Sequence, residues 1–180
     1  MTSLAPMPSA EPFSDVDWLT PGWLLDLVRA VDAAGMIGLD PCTTRDNPVR
    51  AMAFLTEREN GLIHSWGGYG LVYVNPPYSR EASPPWARKI AAEAATGLEI
   101  IALLPVRADT AWWHLCVPVA DAVCFLRGRP KFLRPDGTEA QTGKVPIAAV
   151  YYGDRAKAFA RVFGPYGWIP GSRAGAGEGK

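Results

Sequence analysis

Residues 99–105 read EIIALLP, an almost unbroken apolar run of six or seven residues bounded by a glycine-containing turn and a proline. A half-exposed strand alternates apolar and polar side chains, so a run without alternation predicts a strand covered on both faces, the pattern of an open parallel sheet sandwiched between helices. Four further segments repeat the theme: MIGLDPC (36–42), LVYVN (71–75), AVCFLRG (122–128) and PIAAVYYG (146–153). Helical patterns separate them. In residues 17–35, DWLTPGWLLDLVRAVDAAG, Leu24, Leu27, Val28 and Val31 share one face, with Thr20 expected as N-cap, Pro21 at the first helical position and Gly35 as the stop. A second helix is expected from Ser83-Pro84 to about Thr96, closed by Gly97, and a third through AWWHLCV with Asp109 or Thr110 as its cap. Asp154 is expected to cap a last one, DRAKAFARVFG, and a helix-like patch stands around 49–54. Strands alternating with helices predict an α/β fold: an open, mainly parallel, Rossmann-like sheet with helices on both faces. A late antiparallel hairpin is expected between PIAAVYYG and the RPKFL segment.

The chain of 180 residues is long enough for one such domain, expected over residues 15–170, with Pro/Ser/Ala-rich residues 1–14 and Gly-rich residues 171–180 as disordered tails. Three cysteines without CxxC spacing and two histidines argue against a disulfide framework or a metal site. No run reaches membrane-spanning length and the N-terminus lacks a signal-peptide pattern, so a cytoplasmic location is expected. Lys plus Arg equals Asp plus Glu at 18 each, which excludes indiscriminate polyanion binding but not a local basic face. RGRPKFLR (127–134) places Arg127, Arg129, Lys131 and Arg134 in eight positions with no acid among them. By itself such a run also suits a solvated strand edge.

Ligands of open α/β sheets sit beyond the carboxyl ends of the strands. Three of those ends carry chemistry here: Asp40-Pro41-Cys42, Asn75-Pro76-Pro77-Tyr78, and residues 105–109 with Arg107 and Asp109. Pro76 and Pro77 have no N–H and a restricted φ, so the strand cannot continue and carbonyls are left free. The Asn75 amide oxygen and the Pro76 carbonyl then make two acceptors able to hold an exocyclic amino group, with Tyr78 offering a flat face for a heterocycle. The plain alternative is a proline-terminated strand with a turn tyrosine.

LVYVNPPYS resembles the (D/N/S)PP(Y/F/W) motif of amino-methyltransferases that use S-adenosylmethionine. WLTP, LDPC, Asn47, ENGL, a following tryptophan, VYVNPPYS, Trp86, ALLPVRADTAWWH, FLRGRPKF and the late AAVYYG occur in the order found in phage-type DNA N6-adenine methyltransferases, across roughly residues 17–153. The resemblance implies a catalytic loop of Asn75, Pro76, Pro77 and Tyr78, with Tyr78 stacking on a flipped-out adenine. It implies S-adenosylmethionine as cofactor, with Asp40 in its pocket, Thr20 and Pro21 closing over it, and Asn47 and Asn60 as further candidates. It makes DNA the partner, with Arg107, Asp109, Arg127, Arg129 and Lys131 as candidate contacts, the host cytoplasm the location, and a homodimer one route to sequence specificity. The FxGxG turn common after the first strand of such enzymes is replaced here by DPCTTRDN. Cys42 is read as a small, half-buried residue and His114 as structural; the Trp112-Trp113 pair suits either core or DNA. The tetrapeptide is shared with enzymes acting on cytosine N4, RNA or protein glutamine, and a catalytically idle nucleic-acid-binding relic is a further alternative.

Overall fold

The structure, a computed structural model, describes residues 18–134, 136–139 and 145–171. Apart from Gly171, the two tails expected at 1–14 and 171–180 lie outside the described residues, as does the middle of the segment after RGRPKFLR. Among the described residues, seven strands form one mixed sheet: β1 (Leu39–Asp40), β2 (Ala53–Phe54), β3 (Val72–Val74), β4 (Ile100–Pro105), β5 (Ala122–Leu126), β6 (Ile147–Tyr152) and β7 (Gly167–Trp168). Their order is β2-β1-β3-β4-β6-β5-β7. The β2-β1-β3-β4 part is parallel, and β6 is antiparallel to both β4 and β5, with β7 antiparallel to β5. It follows that β5 runs in the same sense as β1 to β4, and its carboxyl end lies at the same end of the sheet as theirs.

Strand β4 bears out the reading of EIIALLP: all six of its residues are buried. Side chains alternate across it, Ile101 and Leu103 joining one core cluster while Ile100, Ala102 and Leu104 join the other. With Ile100, Ile101 and Leu103 at 0% exposure and Leu104 at 3%, each contributes about 1.5–3 kcal/mol of burial. Helices cover both faces. Helix α1 (Gly22–Val31) and α4 (Ala156–Phe163) pack together over the first cluster through Leu24, Leu25, Val28, Phe159 and Phe163. Helices α2 (Ser83–Ala94) and α3 (Ala111–Cys116) pack together over the second through Trp86, Ile90, Trp113 and Cys116. The described residues include no helix long and apolar enough to cross a membrane.

Four local expectations are corrected. Strand β6 pairs with β4 and β5, not with RPKFL, because its six wholly buried residues need neighbours on both edges. The RPKFL segment instead meets the beginning of the described chain, where Leu133 and Leu19 exchange two backbone hydrogen bonds of 2.8 Å. Residues 49–54 form no helix, since Met52 and Ala53 donate to the carbonyls of Ile37 and Gly38 and extend the sheet as its edge strand. Thr20 is not a cap: Pro21 holds the N-cap position of α1 and the Thr20 hydroxyl is used elsewhere. The N-cap position of α4 is Arg155 rather than Asp154, with no side-chain hydrogen bond there.

At the amino ends of the strands, Arg155 ties these layers together. Its guanidinium pairs with Asp32 after α1 (3.0 Å) and with Glu99 before β4 (2.5 Å), and its backbone N–H donates to the Tyr151 hydroxyl (2.7 Å). The Asp32 carboxyl sits below its usual pKa: burial opposes this, but the N–H groups of Met36 and Ala34 and the Arg155 guanidinium outweigh it.

Candidate active site at the strand tips

At the opposite end of the sheet the tips of β1 and β3 open on a cavity of about 630 Å³, within the range of small-molecule sites. Asp40, Cys42, Thr43, Tyr73, Asn75 and Trp86 are among its walls, together with Trp18 and Thr20 of the segment that leads into α1. Gly61 brings the ENGL turn against the Asp40-Pro41 backbone: a Cβ there would stand 2.0 Å from the Pro41 carbonyl oxygen. The turn is pinned from below by Trp66, whose indole N–H donates to the Gly61 carbonyl (2.9 Å) and whose ring stacks on Trp86.

Asn75 is held from three sides. Its amide Nδ2 donates to the Trp18 carbonyl (3.2 Å) and to the Thr20 hydroxyl (3.3 Å). The carbonyl of Trp18 can only accept, so this contact sets which end of the amide is nitrogen. The Asn75 Oδ1 therefore faces the other way and accepts from the Tyr78 hydroxyl (2.7 Å), which also has the Leu103 carbonyl in reach at 3.1 Å. An amide oxygen has two lone pairs, so one acceptor position of Asn75 remains beside the Tyr78 bond. The Asn75 backbone carbonyl is taken by the Cys42 thiol, which donates across from the β1 tip (3.2 Å).

Asp40 is 2% exposed, and burial pushes its carboxyl up to about 7 against the lowering effect of the Cys42 N–H (3.0 Å) and the Thr43 hydroxyl. Its carboxyl stands at the cavity wall with the Cys42 N–H and the Thr43 hydroxyl as partners. Tyr73, fully buried, shares a 2.5 Å hydrogen bond with the Thr20 hydroxyl, and its own ionisation is driven well upward by burial.

The structure thus brings Thr20, Asp40, Asn60, Asn75 and Pro77 to one cavity, with Pro76 buried in the same tip. It places others elsewhere. Tyr78 is not a wall of the cavity; its ring lies edge-on to Phe132 (6.3 Å, 89°) and its hydroxyl orients Asn75. Pro21 begins α1 outside the lining. Asn47 closes its own loop, donating to the Ala51 carbonyl (2.9 Å) and accepting from the Ala51 N–H (3.0 Å), and is not a wall of the cavity. Arg107 and Asp109 are exposed beyond β4, outside the cavity. Arg127, Arg129 and Lys131 are exposed beyond β5, and Lys131 pairs with Glu139 (3.0 Å). Reading the sequence overlooked Trp18, Tyr73 and Thr43. For Tyr73 a signal existed: two positions before Asn75 in a strand, it must share that residue's face.

A family model described as DNA N-6-adenine-methyltransferase (Dam) matches residues 9–156. The chain is similar to the DNA N-6-adenine-methyltransferase of Haemophilus phage HP1, 27% identical over 162 residues, covering 88% of this chain and 87% of the phage protein. No solved structure matches the chain. The family match runs through every strand tip and loop that walls the cavity, and the chain accordingly belongs to the DNA N-6-adenine-methyltransferases, enzymes that methylate adenine in DNA at N6.

Proposed function

We propose that the cavity at the β1 and β3 tips binds S-adenosylmethionine and that Asn75 presents the adenine amino group to it. The carrying observation is the Asn75 amide, oriented by Trp18 and Thr20 so that its oxygen stands ready as an acceptor. The sheet supports the reading. From β1 the chain steps outward to β2 and then returns to place β3 on the other side of β1, so strand order reverses at the β1/β3 boundary, where open α/β sheets bind ligands. The antiparallel β6 inserted between β4 and β5 supports reading the sheet as a Rossmann-like methyltransferase one.

The residues present fit the cofactor. The buried Asp40 carboxyl at the cavity wall suits a hydrogen-bond donor carried by the ligand, since a carboxylate accepts more than the two bonds that Cys42 and Thr43 supply, and the neighbouring Trp86, Leu62 and Val49 supply apolar walls. When bound, the cofactor supplies an electrophilic methyl group on a sulfonium. Asp40 would hold the donor groups of the ligand, with Thr43 and Asn60 beside it. The adenine N6 lone pair is delocalised into the ring and nucleophilic only when the nitrogen pyramidalises. The free lone pair of Asn75 Oδ1 and the Pro76 carbonyl accept its two hydrogens and favour that geometry. In the transfer the sulfonium C–S bond would break, its electron pair staying on the neutral thioether that leaves, while the adenine nitrogen takes the methyl. The acceptor pair of Asn75 and Pro76 would then pass the surplus proton of the cationic nitrogen to solvent, with no metal needed. Positioning of this kind accounts for several kcal/mol of barrier reduction. A base inside a duplex must first be flipped out.

The similarity to the HP1 enzyme supports a phage or prophage origin and action in the host cytoplasm. The test is methyl transfer from S-adenosylmethionine to unmethylated DNA, read as N6-methyladenine by mass spectrometry, with Asn75→Ala alongside. Product from the parent, a loss of about 10³-fold or more in the variant, and cofactor binding retained in both are expected. Product at cytosine, in RNA or on protein, or undiminished activity of Asn75→Ala, overturns the reading.

A further inference from the structure

Two large aromatic rings on the surface are not explained by packing. Trp23, in the first turn of α1, and Tyr166, in the 3-10 turn Gly164–Tyr166 that ends α4, stack on one another with centroids 5.9 Å apart and planes 23° from parallel. Each is 45% exposed. Stacking on a neighbour spares only part of such a ring from water, and soluble surfaces seldom retain two together without use.

Their place in the fold gives them one. Helix α1 begins directly after Trp18 and Thr20, the residues that orient Asn75, so Trp23 stands at the catalytic end of the sheet. Tyr166 is fastened to the carboxyl end of β5, its carbonyl accepting from the Arg127 backbone N–H (2.8 Å). From Arg127 the chain carries the exposed cations Arg129 and Lys131 to Phe132, which meets the Tyr78 ring, and to Leu133, which is bridged to Leu19. Aromatic pair, basic segment and catalytic tip therefore form one continuous strip. Within residues 127–134 there are four cations and no acid, on a chain of zero net charge, and of these Lys131 pairs with Glu139.

We propose that this strip is the seat of the DNA strand flanking the target adenine, with Trp23 and Tyr166 receiving a neighbouring base or sugar and Arg127 a phosphate. Aromatic faces accept any base, whereas cations take the backbone. The inference rests on the reading of the protein as a DNA methyltransferase and adds the flanking subsite to it. It also gives a short chain a grip on DNA outside the reaction cavity.

The test is titration of a fluorescein-labelled unmethylated duplex with the full chain, by anisotropy over a series of salt concentrations, beside methyl-transfer assays and sedimentation. The variants are Trp23→Ala/Tyr166→Ala, Trp23→Phe/Tyr166→Phe and Arg127→Ala. The double alanine variant is expected to weaken DNA binding about tenfold or more, with an unchanged salt slope and unchanged S-adenosylmethionine affinity by calorimetry. The double phenylalanine variant should recover most of the loss. Arg127→Ala should weaken binding and reduce the log–log salt slope by about one. DNA affinity of the double alanine variant within twofold of the parent overturns the proposal, as does a parent that binds no DNA or a parent dimer that the double alanine variant dissolves, which would make the rings a self-association face. Absence of methyl transfer by a parent that binds DNA through these residues would instead count against the functional reading and leave the strip standing.

Discussion

Asp40 and Thr20 show how single side chains set the chemistry of the site. The Asp40 carboxyl, raised to about 7 by burial, is protonated more often in the folded than in the unfolded chain between its ordinary value and 7. By linkage its contribution to stability is fully present below about pH 4 and is lost as pH rises through 7, a change on the order of 4 kcal/mol. Ligand donors favour the ionised carboxylate, so S-adenosylmethionine affinity should rise as pH increases towards and through 7, then level off. Calorimetry at pH 6, 7 and 8 checks this, and Asp40→Asn should flatten the profile, weaken binding and, above pH 7, raise the melting temperature. Thr20 orients the Asn75 amide and satisfies the buried Tyr73 hydroxyl. Thr20→Val keeps the shape and removes both interactions, leaving a buried hydroxyl unpaired at a cost of about 1–3 kcal/mol. A kcat reduced about tenfold, with KM for the cofactor changed less than threefold, is the expected signature of a positioning role. Steady-state kinetics with a parallel thermal melt would read both effects.

Short strands meet by close backbone approach, and the element scale depends on that. Gly38 precedes β1, and a Cβ at this position would lie 1.6 Å from the Tyr69 carbonyl oxygen. That oxygen belongs to backbone and cannot rotate away, so Gly38→Ala must push the approach to β3 from the approach to β1. The predicted outcome is destabilisation by about 3 kcal/mol, measurable by urea denaturation, with cofactor affinity falling as the Asp40 and Asn75 tips separate. A variant as stable as the parent would mean that this approach is not tight. The same scale explains which motifs were legible. Proline and asparagine mark the end of β3 in NPPY because proline has no N–H for a ladder. The role of RPKFL was hidden because one antiparallel bridge, Leu19 to Leu133, joins residues 114 positions apart and leaves no local pattern.

Over the whole molecule the charges cancel, and what attraction DNA meets comes from their arrangement. Lys131 of the basic segment is partly neutralised, pairing with Glu139, both well exposed. Exposed pairs of this kind are worth little, so Glu139→Gln should release Lys131 and tighten DNA binding about two- to fivefold at low salt, with the gain vanishing at high salt. An anisotropy titration at two salt concentrations reads this directly; equal affinity at low salt would place Lys131 outside the DNA path.

Composition and order along the chain determined the layered α/β class, the covered central strand EIIALLP, and the end of β3 at NPPY, because these follow from side-chain periodicity and from what proline cannot do. Only the tertiary structure decided that Tyr78 holds Asn75 instead of walling the cavity, that Asn47 closes its own loop, and that Trp18 and Thr20 orient the Asn75 amide with Tyr73 behind Thr20. Those roles depend on which polar atoms a fold leaves facing one another, and a hydrogen bond between residues more than fifty positions apart is set by the packing of helices and strands, not by any neighbour in the chain.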